Sequence, residues 1–267
     1  MAPETQMHQL KVADYMTKNP ITRCSSAMLS EAIVVMTSKR IGNLVIVTEN
    51  GNNTVEGIFT ERDILRYLSL EKEIPNKSII FVPLELFSKI TPTDTVYTAA
   101  KSMISNKTRL LVFEDDNNKS EKLAGIITAS DIVRAFRKTE SNPSIEDVMN
   151  KKIFDIEYDT SIPLAIRMLY EKGIGSIIVN KNEKPYGIFT ERDLLTKVLS
   201  KGLKLEEETR VGDFCSRPLI TAQRSIRANE AANIMFANNI KRLPLTENNN
   251  IVSMITARDL VEAFQKD

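Results

Sequence analysis

Gly57-Ile58-Phe59-Thr60-Glu61-Arg62-Asp63 is a heptapeptide that occurs four times in this chain with small changes. The other copies begin at Gly125, Gly187 and Ser253, and in every copy Thr and Asp lie three residues apart. The copies recur about every 65 residues, which is longer than most solenoid repeats and suits a small folding module. The sequence therefore predicts four copies of one structural unit.

Composition and charge restrict the function classes that this chain can serve. Its 267 residues suffice for one large or two ordinary domains. The 36 basic and 35 acidic residues give a net charge of +1, and aromatic residues make up 6% of the chain. Both values argue against nucleic acid as a partner, because nucleic-acid-binding surfaces are basic and often stack bases on aromatic rings.

Few residues are of the types that carry catalysis or bind metals. His8 is the only histidine, and Cys24 and Cys215 are the only cysteines. Because no zinc spacing and no nucleophile–base pair can be recognised, we expect no enzyme, no metal site and no catalytic cofactor. The chain has no apolar stretch of about 18 residues and no apolar signal region at its N-terminus. We therefore expect a cytoplasmic protein without a membrane partner.

Each heptapeptide lies near the end of a β-α-β-β-α unit. In the first copy, an extended piece at Pro20–Thr22 precedes a helix of about residues 29–38, whose apolar residues recur at helical spacing. A β-branched run at 44–47 and a returning strand at 55–59 follow, and Thr60 opens a second helix. The predicted class is α+β, with three-stranded sheets that the two helices of a unit can cover on one face.

One such unit buries too little apolar surface to be stable alone, whereas pairing its sheet with that of its neighbour would complete a core. Polar connectors separate the repeats, and we place the main boundary near residue 140. The prediction is two modules of two consecutive repeats, at residues 1–139 and 140–267. The four repeats span about residues 10–69, 78–138, 144–200 and 209–265.

The repeated Thr-x-x-Asp has two interpretations, and the first is helix capping. In a capping box, Thr accepts a hydrogen bond from the first helical turn, and an acid three residues later reaches back to the Thr backbone. The usual acid or amide at that position is Glu or Gln, whereas all four copies here have Asp. Capping also gives no reason for the preceding Gly, which three of the four copies contain.

The second interpretation is a ligand site. Gly allows a ligand to approach the backbone closely, a helix N-terminus attracts phosphate, and an Asp carboxylate can accept both hydroxyls of a ribose. Arg62, Arg192 and Arg258 directly precede Asp in three copies, and guanidinium groups pair well with phosphate. Ser130 replaces this Arg in the second copy and can donate a hydrogen bond without supplying charge.

On these residues the chain resembles cystathionine-β-synthase-type (CBS) domain proteins with four repeats in two tandem pairs. The resemblance rests on the Gly-h-h-Thr-x-x-Asp ending, where h is apolar, and on the Asp-x-Met-Thr opening at Asp14–Thr17, and it covers about residues 10–265. It implies β-α-β-β-α units whose sheets pair into modules with two clefts, and modules that can stack as a flat disc. Such clefts bind adenosine compounds: AMP, ADP or ATP, and in some members S-adenosylmethionine or NAD.

The resemblance also assigns roles to individual residues. The ribose-binding aspartates fall on Asp63, Asp131, Asp193 and Asp259. The hydroxyls near the ribose or the α-phosphate fall on Thr60, Thr128, Thr190 and Thr256. The phosphate contacts fall on Arg62, Ser130, Arg192 and Arg258. The adenine pocket falls on Ile21, Thr22, Asn43, Asp155, Ser176, Ile220 and Pro244. Basic residues just before the second strand, Lys241 and Arg242 among them, could contact phosphates or lie as solvated helix ends.

Differences among the copies rank the expected sites. The first and third heptapeptides are identical, whereas Ser130 replaces Arg in the second copy and Ser253 replaces Gly in the fourth. We therefore expect nucleotide first in the clefts of Asp63 and Asp193.

The resemblance implies a regulatory protein that senses adenine nucleotides, with Mg²⁺ accompanying ATP. Its output would be a protein partner bound in trans or association into a homodimer. A structural or oligomerisation module with empty clefts, and a sensor of S-adenosylmethionine or NAD, remain alternatives. Some CBS-bearing proteins, such as inosine-monophosphate dehydrogenases, are enzymes, but their catalytic domain is separate from their CBS repeats.

Overall fold

The computed structural model describes residues 8–49, 54–71, 74, 76–114, 122–150, 152–202 and 205–266. Each repeat folds as the predicted β-α-β-β-α unit, and a two-residue strand β1 precedes the first repeat. The strands are β1 (Thr17–Lys18), β2 (Thr22–Cys24), β3 (Asn43–Val47), β4 (Val55–Thr60), β5 (Phe87–Ile90), β6 (Arg109–Phe113), β7 (Leu123–Ile127), β8 (Asp155–Glu157), β9 (Ser176–Lys181), β10 (Lys184–Thr190), β11 (Ala222–Gln223), β12 (Arg242–Glu247) and β13 (Asn250–Thr256).

The helices follow the same order in every repeat. They are α1 (Leu29–Lys39), α2 (Glu61–Leu70), α3 (Val96–Asn106), α4 (Ala129–Phe136), α5 (Ile162–Glu171), α6 (Glu191–Asp193), α7 (Ala228–Ala237) and α8 (Ala257–Lys266). After α6 the chain continues as a π-helical segment at Leu194–Val198 and a 3-10 turn at Leu199–Lys201. None of the helices in the described ranges has the length and apolar character needed to cross a membrane.

Sheet topology is the same in the four repeats. The first strand pairs in parallel with the second, and the second pairs antiparallel with the third. The second strand is central and is therefore an almost continuous apolar run, as at Leu44–Val47, where all four side chains are buried. The predicted face of α1 is confirmed, since Leu29, Ala32, Ile33 and Met36 are its buried residues.

The repeats fall into two compact units. Unit 1 contains Met1–Pro20, Leu86–Lys152 and Thr221–Asp267, and unit 2 contains Ile21–Glu85 and Ile153–Ile220. Unit 2 thus holds repeats 1 and 3, and unit 1 holds repeats 2 and 4. These units follow alternate repeats, whereas the sequence analysis grouped consecutive ones, and the grouping of consecutive repeats stays a prediction.

Each unit has an apolar core to which both of its repeats contribute. In unit 2, buried side chains of α1 and α2 from repeat 1 and of α5 from repeat 3 form one cluster. In unit 1, α4 of repeat 2 packs on α8 of repeat 4, where the rings of Phe136 and Phe264 lie 5.1 Å apart. Both rings are fully buried. The second helices of the repeats therefore contribute to the cores as well as presenting the repeated motif at their N-termini.

A short lead segment at the start of each repeat, ahead of its three-stranded sheet, pairs with the third strand of a different repeat. Thr17 pairs with Ile126 of repeat 2, and Glu85 with Ile58 of repeat 1. Asn150 pairs with Met254 of repeat 4, and Ser216 with Ile188 of repeat 3. The pairing is reciprocal. The lead segment of repeat 1 pairs with the sheet of repeat 2 and that of repeat 2 with the sheet of repeat 1, and repeats 3 and 4 are related in the same way.

This pairing gives a different reason for the motif glycines than close approach of a ligand. A Cβ added to Gly57 would lie 2.6 Å from Cβ of Leu84, and one added to Gly187 would lie 2.8 Å from the carbonyl oxygen of Ser216. Gly125 has the same environment, 2.9 Å from the carbonyl oxygen of Thr17. The lead segment is thus the backbone that approaches the glycine. In repeat 4, Ser253 is buried and its hydroxyl contacts Sδ of Met149 at 3.4 Å.

Candidate functional site

All four Thr–Asp pairs have the same local geometry. Oδ2 of each Asp accepts two hydrogen bonds from its own Thr, one from the backbone N–H and one from the hydroxyl. The N···O distances in repeats 1 to 4 are 2.8, 2.9, 2.9 and 2.8 Å, and the O···O distances are 2.8, 2.7, 2.6 and 2.8 Å. The capping interpretation is therefore correct as a description of the turn, and it occupies one carboxylate oxygen of each Asp.

The second oxygen, Oδ1, distinguishes the repeats. In repeat 3, Oδ1 of Asp193 lies 2.7 Å from Nζ of Lys197 and accepts a 2.7 Å hydrogen bond from the hydroxyl of Ser216. Lys197 also donates to that hydroxyl at 2.9 Å. In repeat 2, Oδ1 of Asp131 lies 3.2 Å from Nη2 of Arg134. Repeats 2 and 3 thus neutralise their own carboxylates.

In repeats 1 and 4, the described residues give Oδ1 of the Asp no such charged partner. Within the described ranges, Asp63 and Asp259 form no ion pair. Desolvation by burial raises the pKa of both carboxyl groups above the ordinary value of 3.8, and the hydrogen bonds from Thr60 and Thr256 oppose this increase. The negative charge of Glu85 further raises the pKa of Asp63.

The arginines of the two identical motifs form reciprocal ion pairs inside unit 2. Nε of Arg62 lies 2.8 Å from Oε1 of Glu191, and Nε of Arg192 lies 3.2 Å from Oε1 of Glu61. Arg62 also donates from Nη2 to the carbonyl oxygen of Gly173 at 3.4 Å. The residues expected to contact phosphate therefore join repeats 1 and 3 through the glutamates of the same motif.

In unit 1 the corresponding positions differ. Arg258 donates from Nη2 to the carbonyl oxygen of Met103 at 2.9 Å. Ser130 is half-buried and lines a cavity together with Arg134 and Ala257. Alanines at 129 and 257 replace the glutamates of unit 2, so the carboxylates of the reciprocal ion pairs have no counterpart here.

In repeats 1, 3 and 4 a residue expected in the adenine pocket, or in repeat 4 at the phosphate, begins the second strand beside the motif Thr. The register pairs Asn43 with Thr60, Ser176 with Thr190, and Arg242 with Thr256. Strand pairing thus brings these predicted residues to the same end of each sheet as the Thr–Asp turn.

The remaining adenine-pocket residues vary in position. Thr22 pairs with Val45 in the neighbouring strand, and Ile21 directly precedes it. Pro244 is buried within β12. Asp155 is exposed and accepts a 2.8 Å hydrogen bond from Nδ2 of Asn180. Ile220 is the last residue of unit 2, whereas Pro244, which was expected in the adenine pocket as well, belongs to unit 1.

Lead-segment residues next to the turn were missed by the sequence analysis. Ser216 reaches Asp193, and Oε1 of Glu85 lies 3.2 Å from the hydroxyl of Thr60. For Ser216 the signal is the Asp-x-Met-Thr opening, which recurs in altered form as Asp147–Asn150 and Asp213–Ser216, whereas the segment that ends at Glu85 does not contain this motif. Its fourth residue is the one that pairs with the third strand of another repeat.

Comparison with known proteins supplies the family. A model of the CBS domain matches the chain at residues 12–70, 72–138, 145–200 and 211–266, which confirms the prediction of four repeats. The uncharacterised protein MK0525 of Methanopyrus kandleri is 39% identical over 106 residues, covering 39% of this chain and 53% of that protein. The uncharacterised protein MJ1225 of Methanocaldococcus jannaschii is 26% identical over 219 residues, covering 75% of this chain and 73% of that protein.

Two solved structures have the same fold over nearly the whole chain. The crystal structure of MJ1225, published as that of a proposed archaeal homologue of g-AMPK, matches with a TM-score of 0.77 at 20% identity and covers 96% of this chain and 100% of that chain. An uncharacterised conserved protein from Pyrococcus horikoshii matches with a TM-score of 0.63 at 22% identity and the same coverage. This chain spans only about half of the curated relative from Methanopyrus.

Proposed function

This chain belongs to the CBS-domain family, and we propose that it is a regulatory protein that binds adenine nucleotides at its Thr–Asp turns. The observation that supports this most strongly is the carboxylate geometry. Each Asp is fixed through Oδ2 by its own Thr, while in repeats 1 and 4 Oδ1 has no ion-pair partner among the described residues. An ionised carboxylate held at a helix N-terminus is a pre-oriented acceptor for ribose hydroxyls.

The carboxylate partners favour a different order of sites from the one expected from sequence. We propose Asp63 and Asp259 as the first ribose acceptors. Asp193 would have to give up its contacts with Lys197 and Ser216, which hold Oδ1 at 2.7 Å each. Asp131 is in an intermediate position, since its ion pair with Arg134 is longer, at 3.2 Å.

Phosphate recognition in unit 2 would also require an exchange of partners. Arg62 and Arg192 are engaged with glutamates, so a nucleotide phosphate would replace a carboxylate on the guanidinium group. Both arginine side chains are about one-third exposed, at 34% and 37%, but the paired glutamates are only 10% and 17% exposed, so the exchange leaves a largely buried carboxylate without its partner and costs free energy. The competition would make binding sensitive to the number of phosphates on the ligand.

The relatives support a regulatory role. The Methanocaldococcus protein with the same fold is a proposed archaeal homologue of g-AMPK. The proposed output is a change in affinity for a protein partner in trans or for a second copy of this chain, because a ligand that binds two conformations unequally shifts their populations. Adenine nucleotides are our first choice of ligand, ahead of S-adenosylmethionine and NAD.

The first prediction concerns the ribose acceptors. Asp63→Ala and Asp259→Ala should each weaken AMP binding by at least about tenfold, because each removes a charge-assisted hydrogen bond. Calorimetric titration with AMP, ADP, Mg²⁺-ATP, S-adenosylmethionine and NAD measures the affinity and identifies the preferred ligand.

Asp94→Ala is the matched control. Oδ2 of Asp94 accepts from the backbone and the hydroxyl of Thr91 at 2.7 and 2.8 Å, so this variant removes the same two hydrogen bonds outside the repeated motif. It should leave nucleotide affinity unchanged. Equal AMP affinity in wild type, Asp63→Ala and Asp259→Ala would contradict the proposed site.

A further inference from the structure

Unit 1 contains a cavity that includes Ser130 and Lys241, two residues expected near phosphate, but extends into an apolar space that the sequence did not predict. Its volume is about 310 Å³, and it lies between α4 of repeat 2 and α7 of repeat 4. Its lining residues come from both repeats: Ser130, Val133, Arg134, Arg137, Ala232, Met235, Phe236, Asn239, Ile240, Lys241 and Ala257. None of the Thr and Asp residues of the repeated turns lines it, although Ser130 and Ala257 are their neighbours in the chain.

The equivalent volume in unit 2 is occupied by an ion pair. Alignment on the Thr–Asp turns places Ser130 where repeat 1 has Arg62, and Ala257 where repeat 3 has Glu191. In unit 2 those two residues are paired at 2.8 Å, and Arg62 extends to the carbonyl oxygen of Gly173, the counterpart of Asn239. Unit 1 has lost both the guanidinium and the carboxylate, and the cavity is the space they would occupy.

A third replacement enlarges the same space. Ala232 aligns with Ile166, which is buried in the core of unit 2. The cavity thus results from three smaller side chains at positions that face each other across the two repeats. Protein interiors are normally close-packed, so three adjacent smaller side chains that leave a space unfilled indicate a binding site for a ligand.

The wall of the cavity is positively charged where the carboxylate was lost. Arg134, Arg137 and Lys241 line it, and none of its described lining residues is acidic, although Arg134 also pairs with Oδ1 of Asp131 at 3.2 Å. Arg137 aligns with Ser69 and Lys241 with Gly175, so two of these three cations are absent from unit 2.

The two arginines are held in place by neighbouring groups. Arg134 donates to the carbonyl oxygen of Tyr15 at 2.6 Å. Arg137 donates to Oδ1 of Asn233 at 2.7 Å, and its guanidinium lies 4.2 Å from the centre of the Phe236 ring. These two arginines are therefore pre-oriented, and apart from the polar residues Ser130, Asn239 and Lys241 the rest of the lining is apolar.

We infer that this cavity binds a small organic anion, with a phosphate monoester or carboxylate group on a compact apolar body. The anionic group would replace the lost charge of Glu191 near Ser130 and the cations, and the apolar body would fill the volume left by Arg62 and Ile166. The volume is at the lower end of the range for small-molecule pockets, which favours a single-ring compound over a whole nucleotide.

The second prediction tests this site with phenyl phosphate and benzoate as probes on the full chain. The ¹³C-methyl signal of Met235, a lining residue, should shift during titration, while that of Met36, buried in unit 2, should not. Phenol has the apolar ring without the phosphate, and inorganic phosphate has the anion without the ring. Each should bind at least tenfold more weakly than phenyl phosphate. An unmoved Met235 signal, or equal binding of phenol and phenyl phosphate, would overturn the inference.

Cavity-filling variants provide an independent test. Ala232→Ile and the double variant Ser130→Arg with Ala257→Glu restore the residues of unit 2, and each should reduce probe affinity at least tenfold. Arg137→Met should weaken the anionic probes and leave phenol binding unchanged. Arg224→Met, which removes an exposed cation paired with Glu247 in the same unit, is the control and should have no effect.

The variants also separate this site from the nucleotide sites. Ala232→Ile should retain AMP affinity, because Ala232 does not contact a Thr–Asp turn. If both filled variants are folded by circular dichroism and still bind phenyl phosphate as wild type does, the cavity is not the binding site. If Ala232→Ile does not fold, the Met235 titration and Arg137→Met decide the matter.

Discussion

The Asp of each Thr–Asp turn uses its two carboxylate oxygens differently. Oδ2 closes the turn at the helix N-terminus, and Oδ1 faces a partner that differs from repeat to repeat, such as Lys197 and Ser216 in repeat 3. In all four repeats the Asp therefore has the same structural role through Oδ2, whereas the interactions of Oδ1 depend on the neighbouring side chains. The side chains around Oδ1 are what distinguish one copy of the motif from another.

The third prediction concerns the buried carboxyl group of Asp63. Its folded-state pKa is raised above 3.8, so between 3.8 and that higher value the folded protein binds more protons than the unfolded chain. The stabilisation from this group is fully present below 3.8 and is lost as the pH rises through the folded-state pKa. Asp63→Asn removes the titrating carboxyl group and should therefore remove its contribution to the pH dependence of the unfolding free energy.

Urea unfolding of wild type and Asp63→Asn over the range from about pH 3.5 to 7 measures this effect. The unfolding free energy of wild type relative to the variant should fall as the pH rises. Parallel curves for the two proteins would show that burial of Asp63 has no energetic consequence.

The chemistry of the turn could be predicted from sequence, but the partners of its residues could not. Thr60 and Asp63 are three residues apart, so their contact is local and follows from the pattern. Arg62 was expected to face phosphate, yet its ion pair is with Glu191 of another repeat. Nothing in a local pattern specifies which distant repeat packs alongside, so such pairs cannot be found without the fold.

At the scale of secondary-structure elements, the order and faces of strands and helices were predictable because they follow from periodicity. The apolar positions of α1 and the β-branched run of β3 each determine an element of five or more residues. The lead segments were not predicted, since Glu85 and Ser216 pair through single bridges and β1 has two residues. Segments this short carry no readable alternation.

The fourth prediction concerns the close approach of a lead segment to a strand. Gly57→Ala should lower the unfolding free energy by about 1–3 kcal/mol, because the new methyl group would lie 2.6 Å from Cβ of Leu84. Ser253→Ala is the matched control in repeat 4, where the structure already accommodates a Cβ, and should cost less than about 1 kcal/mol. Denaturant unfolding of both variants tests the difference. Equal stability of Gly57→Ala and wild type would mean that the lead segment does not constrain this position.

At the scale of the whole molecule, the repeats are not equivalent although their motifs are similar. Unit 2 joins repeats 1 and 3 with two ion pairs made from identical sequences, whereas unit 1 replaces both glutamates by alanine and one arginine by serine. A complete motif was expected to mark a site that is ready to bind phosphate. In unit 2, however, the Arg of each complete motif already pairs with the Glu of the other complete motif.

The fifth prediction tests these ion pairs by charge reversal. Arg62→Glu and Glu191→Arg should each destabilise the protein, and the double variant should recover part of the loss, because it restores an opposite-charge pair. The side chain of Arg62 is 34% exposed, so we expect a coupling free energy of about 0.2–1 kcal/mol. A double-mutant cycle measured by denaturant unfolding gives this value, and additive single effects would mean that the pair contributes nothing.

The exchange of lead segments has a consequence for how such a chain can be shortened or lengthened. A break between repeats 2 and 3 leaves every lead segment on the same piece as the strand with which it pairs. After a break between repeats 1 and 2, or between 3 and 4, each fragment contains one lead segment without its partner strand. Each fragment also has one exposed sheet edge, and exposed edges promote aggregation. A two-repeat fragment therefore retains its strand pairing but divides the apolar core that each unit builds from alternate repeats, so strand pairing and core packing tie the four repeats together in different combinations.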